Sequence, residues 1–241
     1  MKTYYKGLYF SFKQFIKQIS KDAMLFLICF APILYILLLR YGLPIAEKTL
    51  IDYFDLKDIL SPYYLMFDLF LAVLAPAMFS YASAMVILGE IDDGITNYFS
   101  VTPVGKEGYL ISRLVIPLIF SLLITIISLR VYSLTTILLS ETIILSIIST
   151  MLGYIMCMIV ISMSSNKVEG LAVMKLSGLL LMGIPVPFFI TSDIQYIASF
   201  LPSLWLSKYA VEDNNIHLAL YFLVSAMWVL VFTKKFKSKL L

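Results

Sequence analysis

Long apolar runs separated by short polar segments are the main feature of this 241-residue sequence. A helix that crosses the hydrocarbon core of a bilayer needs about 20 mostly apolar residues, and six runs meet that length. They cover residues 23–43, 64–88, 109–129, 137–163, 168–190 and 216–232. The pattern predicts an all-α integral membrane protein with six transmembrane helices, forming a single domain over residues 1–241.

Residues 1–22 show a helical pattern of a different kind. Apolar side chains recur on one face, and five lysines lie off that face. The apolar set is Tyr5, Leu8, Tyr9, Phe12, Phe15, Ile16 and Ile19. This arrangement is typical of an amphipathic helix in the headgroup plane, with its lysines toward anionic membrane lipid. Such a helix either only anchors the chain or also contacts a cytoplasmic partner.

Composition and charge agree with a membrane protein. Of all residues, 61% are apolar and 14% are charged, and the mean hydropathy is +0.95, which excludes an ordinary soluble domain. Cytoplasmic loops carry an excess of Lys and Arg, and thirteen of the 18 such residues lie on or near the inner side if both termini are cytoplasmic. The five remaining are Arg40, Lys48, Lys57, Arg130 and Lys208. We therefore expect a multi-pass protein of the cell membrane, taken to be a bacterial plasma membrane, with both ends inside.

Few side chains suggest catalysis or metal binding. Cys29 and Cys157 both fall inside apolar runs, which gives no support to a disulfide framework. His217 is the single histidine and has no companion ligands at metal-site spacing, so we interpret it as an ordinary loop or interface residue. The first apolar run is long enough to span and is expected to be retained rather than cleaved as a signal peptide. No catalytic residue, metal site or nucleic-acid partner is predicted.

The cytoplasmic connection 89–108 is the most informative segment. Ile91, Ile95 and either Tyr98 or Phe99 would share one face of a short helix, with Glu90, Asp92 and Asp93 largely off that face. Pro103 would then end the helix, because it has no amide hydrogen. An acidic, amphipathic helix is suited to docking on a soluble protein, and the alternative is a solvated loop.

The fifth run is interrupted near its outer end by Gly183, Pro185 and Pro187. Irregular backbone at membrane depth is tolerated where it is buried in protein or lines a watery cavity. The cluster predicts either a short re-entrant turn or a plain helix end, followed by an external loop over 191–215.

Charged side chains inside predicted spans cost free energy when they are buried in the bilayer, and they suggest a functional role. Asp68, Glu141 and Lys175 lie one or two turns inside a boundary. Snorkelling or an interhelical hydrogen bond explains them, and a role in a transport pathway is the alternative. Small residues in the second run favour close helix packing, namely Ala72, Ala75, Ala77, Ser80, Ala82, Ser83 and Ala84.

Several motifs, in this order along nearly the whole chain, resemble the membrane subunits of type 2 ABC exporters. Glu-Ile-Asp-Asp-Gly at 90–94, Thr102-Pro103 and the segment 108–113 flank the connection after the second run. Residues 12–22 running into Ala31-Pro32 resemble the interfacial helix and first span of that family. The segments 176–178 and 201–209, with Pro185 and Pro187, resemble its fifth helix and external segment.

The resemblance implies half of a transporter. Two such chains pair as a homo- or heterodimer, and a separate ATPase, which binds ATP and Mg²⁺, engages the connection after the second span. The implied coupling positions that match the family are Glu90, Asp92, Asp93, Gly94, Thr102 and Pro103, to which the helical pattern adds Ile91, Ile95 and Tyr98.

The second and fifth helices would line the route, as the resemblance implies. The candidate pathway residues are Met66, Asp68, Phe70, Phe79, Met174, Met182, Pro185 and Pro187. Their apolar character favours a hydrophobic or amphipathic cargo, such as a drug, peptide or lipid-like compound, moved out of the cell.

The chain itself has no phosphate-cradling motif, because Gly105-Lys106 is followed by Glu107. No cofactor is therefore expected in this chain, and it is not expected to be an enzyme. Two alternatives stay open. One is an energy-independent transporter, channel or membrane assembly factor. The other is a membrane-embedded enzyme, for which Asp92-Asp93-Gly94 lacks the further arginine and aspartates that head-group transfer requires.

Overall fold

A computed structural model describes residues 2–95 and 105–240 of the chain. Within those ranges the secondary structure is helical and contains no strand. The all-α class predicted from the apolar runs is therefore confirmed. In these ranges five helices are long and apolar enough to cross a bilayer, at Ala23–Phe54, Ser61–Asp92, Gly108–Tyr132, Leu139–Met163 and Asn215–Phe236. The protein is a multi-pass membrane protein.

The predicted amphipathic helix forms α1, Lys2–Lys21. It buries Ser11, Phe15 and Ile19 against the rest of the protein, whereas Tyr9 and Ile16 are exposed. Its apolar face is therefore shared between a protein contact and a surface available to lipid. Asp22 separates α1 from α2, Ala23–Leu37, and its carboxylate caps α2 by accepting hydrogen bonds from the first-turn amides.

The first membrane helix is longer than the predicted 23–43. Helix α2 runs through a π-helical turn, Leu38–Gly42, into α3, Leu43–Phe54. Charged residues end an apolar run but do not end a helix. The predicted span therefore ended at residue 43, whereas the helix continues to Phe54. The Glu47 carboxylate is buried and accepts hydrogen bonds from the backbone amides of Ile59 and Leu60, at 3.1 and 2.8 Å. The C-terminal end of this helix thus holds the connection to the next helix.

Helix α4 is the centre of the fold. After a 3₁₀ turn, Ser61–Tyr63, it extends over Tyr64–Asp92 and packs against α2, α6 and α7. The next elements are α5, Gly105–Leu110; a π-helical turn, Ile111–Val115; α6, Ile116–Tyr132; and α7, Leu139–Met163. The small residues predicted to allow close packing are all buried, at Ala72, Ala75, Ala77, Ser80, Ala82, Ser83 and Ala84. That prediction is confirmed.

Helices α4 and α7 are in close contact at Gly153. A Cβ atom at this position would lie 2.7 Å from the backbone oxygen of Pro76 and 2.9 Å from its Cβ. Only a residue without a side chain fits this contact, because the obstructing atoms belong to the backbone and ring of a neighbouring helix. Close approach through a small residue is a common way for membrane helices to gain packing energy.

The predicted fifth span, 168–190, is not one continuous helix. It divides into α8, Lys167–Ser177; a 3₁₀ segment, Gly178–Gly183; and α9, Val186–Phe189. The interruption predicted from Gly183, Pro185 and Pro187 is confirmed, although the α-helix already ends at Ser177. The six-span count stays a prediction, since this broken segment does not form a spanning helix by itself.

The segment after the break is mostly helical, although 191–215 was predicted to be a loop. A 3₁₀ helix, Asp193–Phe200, leads into α10, Pro202–Glu212, and then into α11, Asn215–Leu240. The first two turns of α10 are buried. The Ser207 hydroxyl donates to the Ile184 carbonyl at 2.7 Å, and the Ser203 hydroxyl donates to the Leu180 carbonyl. The irregular backbone of the fifth segment is thus satisfied by protein groups, as burial in a membrane requires.

Orientation can be tested by cysteine labelling in intact cells. With Cys29 and Cys157 replaced by serine, we expect Lys13→Cys and Lys234→Cys to resist an impermeant thiol reagent, because a cytoplasmic position denies it access. Lys57→Cys and Asn214→Cys should react. All four native side chains are exposed in the fold, so a difference in labelling reports the side of the membrane. Reaction of Lys13→Cys in sealed cells, with Lys57→Cys protected, would show the opposite orientation.

Candidate functional site

A buried ion pair lies at the end of α4 that leads to the predicted coupling segment. The Arg113 Nη2 and Glu90 Oε1 atoms are 2.6 Å apart, and the side chains are 0% and 3% exposed. The Arg113 Nε also donates to both carboxylate oxygens, at 3.2 and 3.1 Å. Charge-assisted bonds in this forked geometry are strong and directional. They fix the end of α4 to the π-helical turn before α6.

The same arginine also holds α1. Its Nη1 donates to the Ser11 carbonyl at 2.6 Å and to the Ser11 hydroxyl at 3.3 Å, and Gln18 donates to Glu90 Oε1 at 3.0 Å. The guanidinium lies 5.6 Å from the ring centres of both Phe15 and Tyr109, a distance at which a cation is attracted to an aromatic face. Three elements distant in sequence therefore meet at one charge cluster. We call Ser11, Gln18, Glu90 and Arg113 the inner cluster.

The backbone turns immediately after this cluster. Helix α4 ends at Asp92, and Gly94 has a φ of 68°, a left-handed conformation that glycine adopts at little cost. The prediction that Ile91 and Ile95 share one face of a continuous short helix was therefore wrong, because Ile91 belongs to α4 and Ile95 lies beyond the left-handed Gly94. Ile95 is 36% exposed. Tyr98, Thr102 and Pro103 lie outside the described residues, so their predicted role stays a prediction.

A second, more exposed set of charges joins three further segments. The Lys167 ammonium lies 2.7 Å from an Asp22 carboxylate oxygen, with the side chains 38% and 31% exposed. The backbone amide of Lys167, at the start of α8, donates to an Asp92 oxygen at 2.8 Å. The hydrogen bond from Lys167 lowers the pKa of Asp22 below its ordinary value. The α1–α2 junction, the end of α4 and the start of α8 are thus joined at one level of the protein.

Comparisons with known proteins identify the family of this chain. A family model described as "Fluoroquinolones export permease protein Rv2686c-like" matches residues 15–234. The chain belongs to this Rv2686c-like permease family. Membership confirms the assignment made from the sequence, an exporter permease of the ABC type 2 class.

Two relatives of this permease come from strains of Mycobacterium tuberculosis, CDC 1551 / Oshkosh and ATCC 25618 / H37Rv. They are named fluoroquinolones export permease proteins MT2760 and Rv2686c. Each is 22% identical to this permease over 190 residues, covering 78% of this chain and 75% of the relative. No solved structure matches the chain significantly.

The predicted pathway residues of the permease differ in their burial. On α4, Met66, Phe70 and Phe79 are half-buried and Asp68 is fully buried. Met174 on α8 is half-buried, and Met182 in the 3₁₀ segment is 60% exposed. Pro185 and Pro187 are half-buried beside the break. Their role in transport stays a prediction.

Asp68 has a structural partner that its position in the sequence did not reveal. Its two carboxylate oxygens accept hydrogen bonds from the backbone amides of Leu134 and Thr135, each at 2.8 Å, and from the Thr135 hydroxyl at 2.6 Å. This carboxylate organises the turn between α6 and α7. Of the three explanations offered for a charge in the second span, the hydrogen bond to a neighbouring element fits these contacts, with its donors in the turn between α6 and α7.

The other intramembrane charges have simpler surroundings. Glu141 lies in the first turn of α7 and accepts a hydrogen bond from the Leu138 amide at 3.2 Å, whereas Lys175 is exposed on α8. His217 pairs with Glu212 at 2.6 Å and stacks on Trp205. The interpretation of His217 as an interface residue agrees with these contacts.

The sequence did not identify Arg113 as the partner of Glu90. The two residues are 23 positions apart on different elements, and no spacing rule connects them. The available indication was an arginine placed at the beginning of an apolar run, where an ionised side chain needs a partner.

Proposed function

We propose that this permease is the transmembrane subunit of an ABC exporter, driven by a separate ATPase that binds ATP and Mg²⁺. Its cargo would be a hydrophobic or amphipathic compound moved out of the cell, and the relatives' names suggest a fluoroquinolone as the first cargo to test. Two permease chains, identical or related, would complete the transport path. Family membership supports the role in export, and the inner cluster supports the coupling.

The single observation that carries the coupling proposal is the buried Glu90–Arg113 pair. It joins the end of α4 to the π-helical turn that follows α5, and Arg113 joins both to α1. If the end of α4 and the π-helical turn could move independently, the movement of a docked ATPase would displace only the segment between them. Because the ion pair fixes these two elements to each other and to α1, the same movement would displace α1, α4 and α6 together.

Transport also requires that nucleotide binding favour one arrangement of the two permease chains over the other. A ligand shifts a conformational equilibrium only by its difference in affinity for the two states. An ATPase that docks on both permease chains and closes when it binds nucleotide would supply that difference. The segment fixed by the Glu90–Arg113 pair would then transmit closure of the ATPase to the permease chains. The two halves of the transporter would rotate about their second and fifth helices.

The proposal is tested by recovering the permease with a candidate ATPase, first one encoded beside it, in mild detergent. We expect the isolated permease to bind no ATP, and the complex to hydrolyse ATP faster when a fluoroquinolone or another amphipathic cargo is added. Tight ATP binding by the isolated chain would contradict the proposal. Cargo export that persists in cells without the ATPase would favour the energy-independent alternative.

The coupling segment is tested by Ile95→Ala. If the exposed Ile95 side chain is buried by the ATPase, its truncation should weaken the complex by about 1.5 kcal/mol, roughly tenfold. Asp93→Ala, which removes a rim carboxylate, should cost about 1 kcal/mol or less. Asp52→Ala, at an exposed site on α3, is the matched control and should leave recovery unchanged.

Glu90→Ala should act differently from Ile95→Ala. It leaves the docking side chains in place but releases Arg113, so we expect the complex to be recovered while cargo no longer stimulates hydrolysis. Activity is compared per amount of recovered complex, because the variant is also less stable. If Ile95→Ala, Asp93→Ala and Glu90→Ala all assemble and transport like the parent, this segment does not couple the two proteins.

A further inference from the structure

A cavity of about 440 Å³ opens where α1, α2, α4 and α8 meet. Its deeper wall is apolar, formed by Leu25, Met85 and Val86, which are all buried. Its remaining lining is polar or small and consists of Gln18, Lys21, Asp22, Gly89, Glu90, Asp93 and Lys167. The volume lies in the range of sites that hold small molecules.

The charges around this cavity leave one cation and one anion for a ligand. The Glu90 carboxylate is paired with Arg113, and the Asp22 carboxylate is paired with Lys167. In the part of the chain that the structure describes, no ion pair involves Lys21 or Asp93. Both side chains are exposed. The cavity therefore complements a ligand that carries both a negative and a positive group.

An apolar groove continues from the same cavity. Lys21 also lines this groove, together with Ser20, Ala23, Phe26 and Leu27. The Phe26 and Leu27 side chains are 53% and 62% exposed and lie at the start of the first apolar helix. Lys21 is therefore placed at a membrane boundary, with the charged cavity on one side and an acyl-sized apolar surface on the other.

We infer that this cavity binds the headgroup of a phospholipid carrying a phosphate and a primary ammonium group, an ethanolamine phospholipid. The phosphate contacts Lys21, the ammonium contacts Asp93, and one acyl chain lies along Phe26 and Leu27. Basic side chains between membrane helices are known to hold lipid headgroups, and Lys21 supplies such a side chain here. Asp93, which has no ion pair among the described residues, adds the preference for an amine. This inference goes beyond the proposed function and does not depend on an ATPase.

The test uses the purified, full-length permease in mild detergent, without a partner. Retention of added dioleoyl phosphatidylethanolamine, phosphatidylcholine and phosphatidylglycerol is compared by native mass spectrometry. The parent should retain the ethanolamine lipid best, because only its headgroup offers an ammonium N–H to a carboxylate. Lys21→Gln should weaken retention of all three lipids about fivefold, the size of one exposed charge contact.

Asp93→Asn separates headgroup recognition from general lipid binding. It should remove the preference for the ethanolamine lipid and leave retention of the other two unchanged. Lys13→Gln and Asp52→Asn are matched controls, since both native side chains are exposed and lie outside the cavity. Soluble phosphoethanolamine should bind more weakly than the lipid, because it has no acyl chain.

Two results would overturn the inference. One is that Lys21→Gln and Asp93→Asn retain the three lipids as their matched controls do. The other is that soluble phosphoethanolamine binds as tightly as the lipid, which would show that the groove contributes nothing and that the occupant is not a phospholipid.

Discussion

Replacing Arg113 by glutamine is expected to lower the free energy of unfolding by about 3–5 kcal/mol, the range for breaking a buried ion pair by removing one partner. The reason is that Glu90 is 3% exposed. Without Arg113, its carboxylate would either stay ionised with no counter-charge or take up a proton, and both outcomes cost free energy of folding. The Ser11 carbonyl would also lose the donor now 2.6 Å away. The measurement is unfolding by increasing amounts of SDS in mixed micelles.

A matched comparison separates this effect from the general loss of a charge. Asp22→Asn breaks the Lys167 ion pair at the same level of the protein but retains an oxygen to cap α2, so it should cost about 1 kcal/mol or less. The double variant Glu90→Gln, Arg113→Gln should be less destabilised than the sum of its two single variants, because it leaves no buried charge unpaired. Additive losses would show that the two side chains act independently.

Gly153→Leu is expected to destabilise the fold by about 3 kcal/mol, at the upper end of the usual cost of overfilling a packed core. Gly153→Ala should cost about 1–3 kcal/mol, although alanine has the higher helix propensity. The first added carbon already meets the Pro76 backbone oxygen at 2.7 Å. Neither backbone can yield without moving α4 away from α7, and these two helices form the main packing contact of the fold.

Gly178 provides the control for this prediction. A Cβ atom at that position meets nothing within 4 Å, so Gly178→Ala should change stability by about 0.5 kcal/mol or less. Both variants add one methyl group, which meets the Pro76 backbone at Gly153 and open space at Gly178. Equal unfolding midpoints for the two alanine variants would show that α4 and α7 are not in close contact at Gly153.

The sequence alone determined the class of this protein and the positions of most of its helices. Apolar runs of membrane-spanning length are decisive, because in a bilayer a backbone that is not hydrogen-bonded within a helix or a closed barrel is too costly. The break in the fifth segment was also readable, since Pro185 and Pro187 lack the amide hydrogens a helix needs. The order of motifs indicated the family, which the comparison over 15–234 confirmed.

Other features depended on which helices pack together. Helix propensity and hydropathy are local, whereas the partners of Glu90, Asp68 and Gly153 lie 23 or more residues away. The sequence showed that Glu90 lies at a membrane boundary, but not that Arg113 and α1 surround it. Only the tertiary structure decided these pairings. Whether a buried charge or a glycine stabilises the protein depends on the atoms that the fold places next to it.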